Sequence, residues 1–360
     1  MPLYDAGVYF DSSTSQYHLS QLKLNPLENF SCYQDLASFK NSSVKYKIAL
    51  LHIPYPFDPV FETQVRELTG ICDRVFVIGT ELHPPIVSFI ERNDIANVTY
   101  YLCGFLNKPL ANAQVKQFMD WFETSSYFYK YNLPEILTRL KPHEPKYRAF
   151  DILLGRKKQH RDFIHERAVR VPVVSILTYF NNHNTNFSAD PDKWQWELPG
   201  VKINKQPEWT VDRVEYFGFP MSISQILPLT VYNQTAYSVV AETCWQDSFA
   251  FFTEKTSKPI IARRLFVMFA GCGYLANLRQ LGFKTFGDII DESYDTETDA
   301  LVRWQQAWDQ VEWLAAQPQE VILEKIRPIV EHNFDVMMST NWYGLFKQQL
   351  EQDFVRTIAG

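Results

Sequence analysis

The sequence predicts an α/β protein of two Rossmann-like domains facing a central cleft, followed by C-terminal helices. Three observations predict it. Short apolar runs alternate with helix-length stretches from residue 47 onward, the rhythm restarts after Lys141-Pro142-His143-Glu144-Pro145-Lys146, and the pattern turns helical from Thr298. Such alternation marks βαβ units and a parallel sheet. The two prolines withdraw backbone donors and hold the linker out of regular structure. The expected domains are 1–145 and 146–335, with a final helix over 336–360 packing back on the first domain.

Residues 1–45 give weak signals, helix-compatible over Leu27–Phe39, and read as an N-terminal extension. Lys47–Ile53 is the first clear strand, ending in the loop Pro54–Pro59, and Val60–Gly70 is a helix. Arg74–Gly79, the helix Pro84–Arg92 and Val98–Cys103 continue the pattern, and a helix is expected over Ala111–Phe122. In the second half, Phe150–Gly155 is a strand with a basic loop and helix behind it, and Val171–Phe180 is the next strand. A long polar insertion, 181–213, carries Trp194, Trp196 and Trp209. Tyr237–Thr243 and Leu265–Phe269 are strands, and Tyr274–Leu281 is a helix. Ala300–Ala316, Pro318–His332 and Asn341–Ile358 complete the helical tail.

At 360 residues and 46% hydrophobic content the chain can bury a sizeable core. No basic start leads into an apolar stretch, so no secretory signal is expected, and no apolar run approaches the ~20 residues of a membrane span. The five cysteines are scattered without a Cys-x-x-Cys pair, which argues against a disulfide framework or a structural zinc and for a reducing, cytoplasmic setting. A net charge of -6 argues against a protein that coats nucleic acid non-specifically.

Chemistry concentrates in two places. Arg156, Lys157, Lys158 and Arg161 follow a strand directly, and loops after the strands of an open parallel sheet face its ligand crevice. That position suits a diphosphate, although a solvated loop would carry the same charges. The second place is Phe252-Thr253-Glu254-Lys255-Thr256-Ser257-Lys258-Pro259-Ile260, wedged between apolar runs. Thr253 suits a helix N-cap, whose free backbone donors attract anions. Glu254 offers two acceptors for a pair of ribose hydroxyls, and Lys255 a point charge for phosphate. Pro259 would lie deep in a helix begun at Thr253, so the regular helix is expected to start nearer Ser257.

Over Tyr237–Asp291 the chain resembles the nucleotide-binding region of GT-B glycosyltransferases of the fucosyltransferase type. It is similar, more closely, to glycosyltransferases encoded by tailed phages. The matching pieces are Thr253–Ile260, Leu265–Phe269, Gly271-Cys272-Gly273 and Leu281–Phe286. The resemblance implies a GT-B fold and transfer of a sugar from a UDP- or GDP-sugar, with no prosthetic group and no required metal. It implies that Glu254 binds the ribose and Lys255 the diphosphate, assisted by one or more of Arg156, Lys157 and Arg161. Thr253, as the N-cap, and Glu242 are counted in the same donor-nucleotide-binding set. Pro259 stands where the fucosyltransferase family has Asn, which weighs against GDP-fucose. An inverting reaction needs a base for the acceptor hydroxyl, and the loop after the first strand offers His52 and Asp58, with Glu62 in reserve.

The phage relatives imply an acceptor in the host cytoplasm: a hydroxylated or hydroxymethylated cytosine of DNA, flipped out of its stack. Aromatic and basic residues at 127–131 and 193–213 would stack on it. A cell-surface or capsid glycan is the alternative acceptor, and a non-catalytic nucleotide-sugar-binding protein the alternative function. A metal-dependent GT-A enzyme would need Asp-x-Asp at a strand end, and Asp190-Pro191-Asp192 has no strand before it. No Gly-x-Gly-x-x-Gly follows a strand, which argues against a dinucleotide-dependent dehydrogenase.

Overall fold

The computed structural model describes residues 4–170, 175–180, 201–203, 213–216, 219–222 and 226–359. The chain forms two compact units, 1–123 together with 341–360, and 124–340. The first division falls ahead of the proline segment at 141–146, which lies inside the second unit.

Unit 1 begins with β1 (Ala6–Phe10), α1 (Ser13–Ser20), α2 (Pro26–Asn29), β2 (Ser31–Tyr33) and α3 (Leu36–Lys40). There follow β3 (Tyr46–His52), α4 (Pro59–Thr69), β4 (Arg74–Gly79), α5 (Pro84–Arg92), β5 (Val98–Leu102), β6 (Gly104–Leu106) and β7 (Gln114–Gln117). Six of these strands form one parallel sheet in the order β2-β1-β3-β4-β5-β7.

Two expectations for this unit are corrected. The supposed N-terminal extension is built into the sheet, with β1 buried throughout. Gly7 lets β1 pack closely, since a Cβ there would meet Val44 Cγ2 at 2.9 Å. The helix expected over Ala111–Phe122 is instead the edge strand β7 followed by α6 (Asp120–Tyr127). The Asp94 carboxylate accepts the amides of Ala111, Asn112 and Ala113 at 2.6–2.8 Å, which takes their backbone donors out of any helical ladder.

The C-terminal helix Trp342–Ala359 belongs to this unit. Its Phe346, Leu350 and Phe354 join Val8, Leu50, Phe76, Ile78, Tyr101 and Phe118 in one buried cluster. Phe118 and Phe346 stack at 4.2 Å between centroids. One polar anchor crosses this layer: Asp353 accepts from Lys116 Nζ at 2.6 and 2.7 Å and from the Tyr101 hydroxyl.

Unit 2 runs from the end of α6 through a π-helical turn (Phe128–Asn132) and α7 (Pro134–Arg139) to β8 (Arg148–Arg156), α8 (Gln159–Arg170) and β9 (Ser175–Phe180). Within the span read as a polar insertion and just beyond it, β10 (Val201–Ile203), β11 (Arg213–Tyr216) and β12 (Phe219–Ser222) form a three-stranded antiparallel sheet. Trp194, Trp196 and Trp209 lie outside the described residues. The chain continues as α9 (Leu229–Gln234), β13 (Thr235–Ala241), β14 (Phe249–Phe251), α10 (Glu254–Ile261), β15 (Phe266–Phe269) and α11 (Tyr274–Gln280). The helices α12 (Ala300–Ala315) and α13 (Gln319–Ser339) close the unit.

The main sheet of unit 2 is parallel, in the order β15-β13-β8-β9. Its foundation is a buried ion pair in which Arg264 Nη2 meets Asp151 Oδ1 at 2.8 Å. The same guanidinium donates to the carbonyls of Tyr232, Thr235 and Tyr237 and to the hydroxyls of Thr235 and Ser238. One side chain thereby ties β8, β13 and the approach to β15 together.

Candidate functional site

In unit 2 the chain leaves β8 toward β9 on one side and leaves β13 toward β15 on the other. Ligands of open parallel sheets bind outside the carboxyl ends of the strands at such a switch point. Here those ends are Gly155-Arg156 and Ala241-Glu242.

The Thr253-Glu254-Lys255 cluster opens α10 directly beside this point. Thr253 is extended (φ -117°, ψ -174°) and its hydroxyl accepts from the Lys255 amide at 3.3 Å, so it is the N-cap and the helix begins at Glu254. The expected start nearer Ser257 is therefore corrected. The Ser257 amide already bonds the Thr253 carbonyl at 3.2 Å, and Pro259 sits near the end of an eight-residue helix, where one missing donor breaks little.

Glu242 organises the cluster from beneath. Its carboxylate is fully buried and accepts from the Thr253 amide (3.2 Å) and hydroxyl (2.7 Å), the Thr256 hydroxyl (2.7 Å), the Tyr274 hydroxyl (3.0 Å) and the Thr243 amide (2.8 Å). With its lone pairs occupied and no exposed surface, Glu242 is a positioning residue, which corrects its placement among groups that touch the donor.

Cations converge above it. Lys158 donates to the Thr243 carbonyl, and Lys255 Nζ lies 3.1 Å from the Thr243 hydroxyl and 2.5 Å from Glu254 Oε1. Arg161, 4% exposed, donates through Nη2 to the Glu242 carbonyl at 3.3 Å. Gly155 leaves room for this guanidinium, whose Nη1 would lie 3.3 Å from a Cβ there. Burial lowers the affinity of Lys158 for its proton, and the charges of Arg161 and Lys255 lower it further. Like charges held this close favour an anion between them. Burial pushes the Glu254 carboxyl up, but Lys255 and Lys258 more than offset this and hold it below its ordinary range.

Lys258 provides a pH test. Burial brings its amine down to about 8 against the pull of Glu254. Between pH 8 and the ordinary lysine value near 10.4, the folded state carries the neutral amine and the unfolded state the ammonium. The unfolded state binds more protons, so this group makes stability rise with pH across that window. Urea midpoints measured at pH 8 and pH 10 are expected to show a smaller rise in Lys258→Met than in the wild type.

Other candidates fall differently. Lys157 is exposed, with Nζ 3.9 Å from Asp162 Oδ2 on the solvent side. Arg156 ends β8, and its side chain lies outside the described residues. Sequence reasoning missed His160, whose ring Nε2 bonds the Glu242 carbonyl at 2.8 Å and whose pKa burial drives far down. Its place at the start of α8, beside Arg161, was the available signal.

The Gly-x-Gly stretch serves architecture. A Cβ on Gly271 would lie 2.3 Å from the Gln246 carbonyl oxygen, and Gly273 takes a left-handed φ of 76° at the N-cap of α11. The N-terminal amides of that helix at Leu275 and Ala276 are held by Asp295 at 2.8 and 2.9 Å.

In unit 1 the corresponding switch point lies between β1 and β3. His52 ends β3, and its amide donates to the Asp11 carboxylate, which follows β1, at 3.1 and 3.3 Å. Burial lowers the His52 pKa while Asp11 opposes the shift. His18 stands close enough to feel its charge, is brought down to about 4 by burial and by His52, and shares a hydrogen bond of 3.0 Å with the Tyr343 hydroxyl. Asp11 and His18 were hidden in the segment read as an extension.

Asp58 and Glu62 have structural duties instead. Asp58 is exposed and caps α4, accepting the Val60 amide at 2.9 Å. Glu62 is gripped by Arg92 (2.6 Å) and Arg66 (3.0 Å), and the Arg92 hydrogen bond brings it down to about 2, too acidic for an effective base near pH 7.

Among the described residues, no group of three or more His, Cys, Asp or Glu side chains could hold a metal, and no helix is long and apolar enough to cross a membrane. Asp190 and Asp192 lie outside the described residues. Comparison with protein-family models, with curated proteins and with solved structures finds no significant match to this chain.

Proposed function

We propose that the chain is a nucleotide-sugar-dependent glycosyltransferase of the GT-B class, with unit 2 binding the donor and unit 1 the acceptor. One observation carries this reading: Lys158, Arg161 and Lys255 gather about the carboxyl end of β13, beside a buried carboxylate at the first position of α10. Cations and a carboxylate in one place match the diphosphate and the ribose of a nucleotide sugar.

As the bond from the sugar's anomeric carbon to the diphosphate oxygen breaks, its electron pair stays on the diphosphate. Cations fixed in advance stabilise that charge as it forms. Lys255 and Arg161 fill this role, and Glu254 takes the ribose hydroxyls. The acceptor oxygen bonds to the anomeric carbon and gives its proton to His52, which burial keeps neutral at pH 7. The acceptor proposed is the hydroxyl of a hydroxylated or hydroxymethylated cytosine in DNA.

The test is incubation with UDP-, GDP- and dTDP-sugars, together with either hydroxymethylated DNA or oligosaccharides, read as a mass gain on the acceptor. Glu254→Ala and Lys255→Ala are each expected to weaken nucleotide-diphosphate binding roughly tenfold or more, the loss of a charge-assisted hydrogen bond. Unchanged affinity in both variants would remove the donor site from this position. Binding without transfer to any acceptor would leave a nucleotide-sugar-binding protein.

A further inference from the structure

A small cavity lies in unit 1, at the opposite end of its sheet from His52. Arg74 is the first residue of β4, Thr99 the second of β5 and Gln114 the first of β7, so the cavity opens at the amino ends of three parallel strands. Phe76 of β4 and Asp353, Arg356 and Thr357 of the C-terminal helix complete the lining, and its volume is about 90 Å³. That is the space of about three waters in the liquid. It accommodates one tetrahedral oxyanion.

Four of the lining residues carry hydrogen-bond donors beside Thr357: Arg74, Thr99, Gln114 and Arg356. Arg74 lines the cavity and spends one nitrogen, Nη1, on the Ala96 carbonyl at 2.9 Å. Arg356 is 72% exposed along its side chain, and its Nη1 stands 3.6 Å from Asp353 Oδ1. The Thr99 hydroxyl and the Gln114 amide add neutral donors. The acid in the wall, Asp353, is already satisfied by two short contacts to Lys116 Nζ and by the Tyr101 hydroxyl. Lys116 and Arg356 pair with this one carboxylate and Arg74 lines the same cavity, a local surplus of positive charge in a chain whose net charge is -6. Two guanidinium groups lining one small recess are an arrangement that phosphate oxygens select.

We infer that this cavity is a phosphate-binding site, with Arg74 and Arg356 as its two clamps. Two sources carry the same chemistry: free inorganic phosphate, and the phosphodiester backbone of a nucleic acid. The site is separate from the donor clamp of unit 2 and does not depend on that clamp's assignment.

The experiment is titration of the full chain with inorganic phosphate at low ionic strength by calorimetry, then with a short single-stranded oligonucleotide in the presence and absence of phosphate. Wild-type protein is expected to bind phosphate, with Arg74→Gln and Arg356→Gln each weakening it roughly tenfold and the double variant abolishing it. Arg356 projects from an exposed helix face, so Arg356→Gln keeps the thermal midpoint and reads binding without a folding defect. Competition between oligonucleotide and phosphate assigns the site to a backbone phosphate, and independent binding assigns it to the free ion. No phosphate binding by the wild type, or undiminished binding by Arg356→Gln and the double variant, overturns the inference.

Discussion

Arg264→Met is expected to destabilise unit 2 by about 3–5 kcal/mol, the penalty for leaving one member of a buried ion pair without its partner. Arg264 and Asp151 are each 3% exposed, and every nitrogen of the guanidinium is engaged. Methionine fills much of the volume but leaves the Asp151 carboxylate and three backbone carbonyls facing a thioether. The double variant Asp151→Leu/Arg264→Met removes both charges and is expected to recover much of the loss, since paired buried charges contribute little net stability over apolar replacements. Thermal unfolding of the full chain would show this as a large fall for the single variant and a smaller one for the double. Equal falls would mean that Arg264 acts through packing alone.

Glu242→Leu is expected to have the second large effect, lowering both stability and ligand affinity. Five hydrogen bonds from two amides and three hydroxyls lose their acceptor at once, at about 1–3 kcal/mol for each buried donor left unsatisfied. Relaxation will reduce the sum, yet several kcal/mol remain. The loss of affinity follows from Thr253, whose amide and hydroxyl Glu242 fixes. Without that hold the first turn of α10 frays and carries Glu254 and Lys255 with it. Nucleotide-diphosphate affinity measured well below the unfolding midpoint is therefore expected to fall at least as far as in Lys255→Ala. A fall in thermal stability with unchanged affinity would make Glu242 an ordinary core residue.

These side chains show what the sequence could and could not convey. The alternation from β3 to β5 was legible because those strands are five to seven residues long, largely apolar and separated by amphipathic helices. The strands β1 and β2 were not: β1 carries a glycine and leads into the largely polar helix Ser13–Ser20, and β2, three residues long, is too short for periodicity to rise above chance. The polar edge strand Gln114–Gln117 fits helix and strand equally on propensity, and Asp94 decides between them from outside the segment.

The site divides the same way. Thr253 as N-cap was readable because capping is local. Which of the adjacent Lys157 and Lys158 points inward depends on how β8 delivers the chain into α8, and two identical residues carry no mark of it. The enclosure of Glu242 rests on hydroxyls up to 32 positions away, and no local pattern announces it.

The return of residues 341–359 to unit 1 has a consequence for the order in which the protein is made. Unit 2 is one continuous stretch, complete once residue 340 has been synthesised, whereas unit 1 is split around it. During translation the first sheet must wait through the whole of residues 124–340 for Phe346, Leu350 and Phe354, each worth about 1.5–3 kcal/mol on burial. Until then the faces of Phe76, Tyr101 and Phe118 that they cover are open to solvent. The unit that emerges first is thus the last to be finished, and a chain interrupted before Trp342 would present a completed second unit tethered to an uncovered first one.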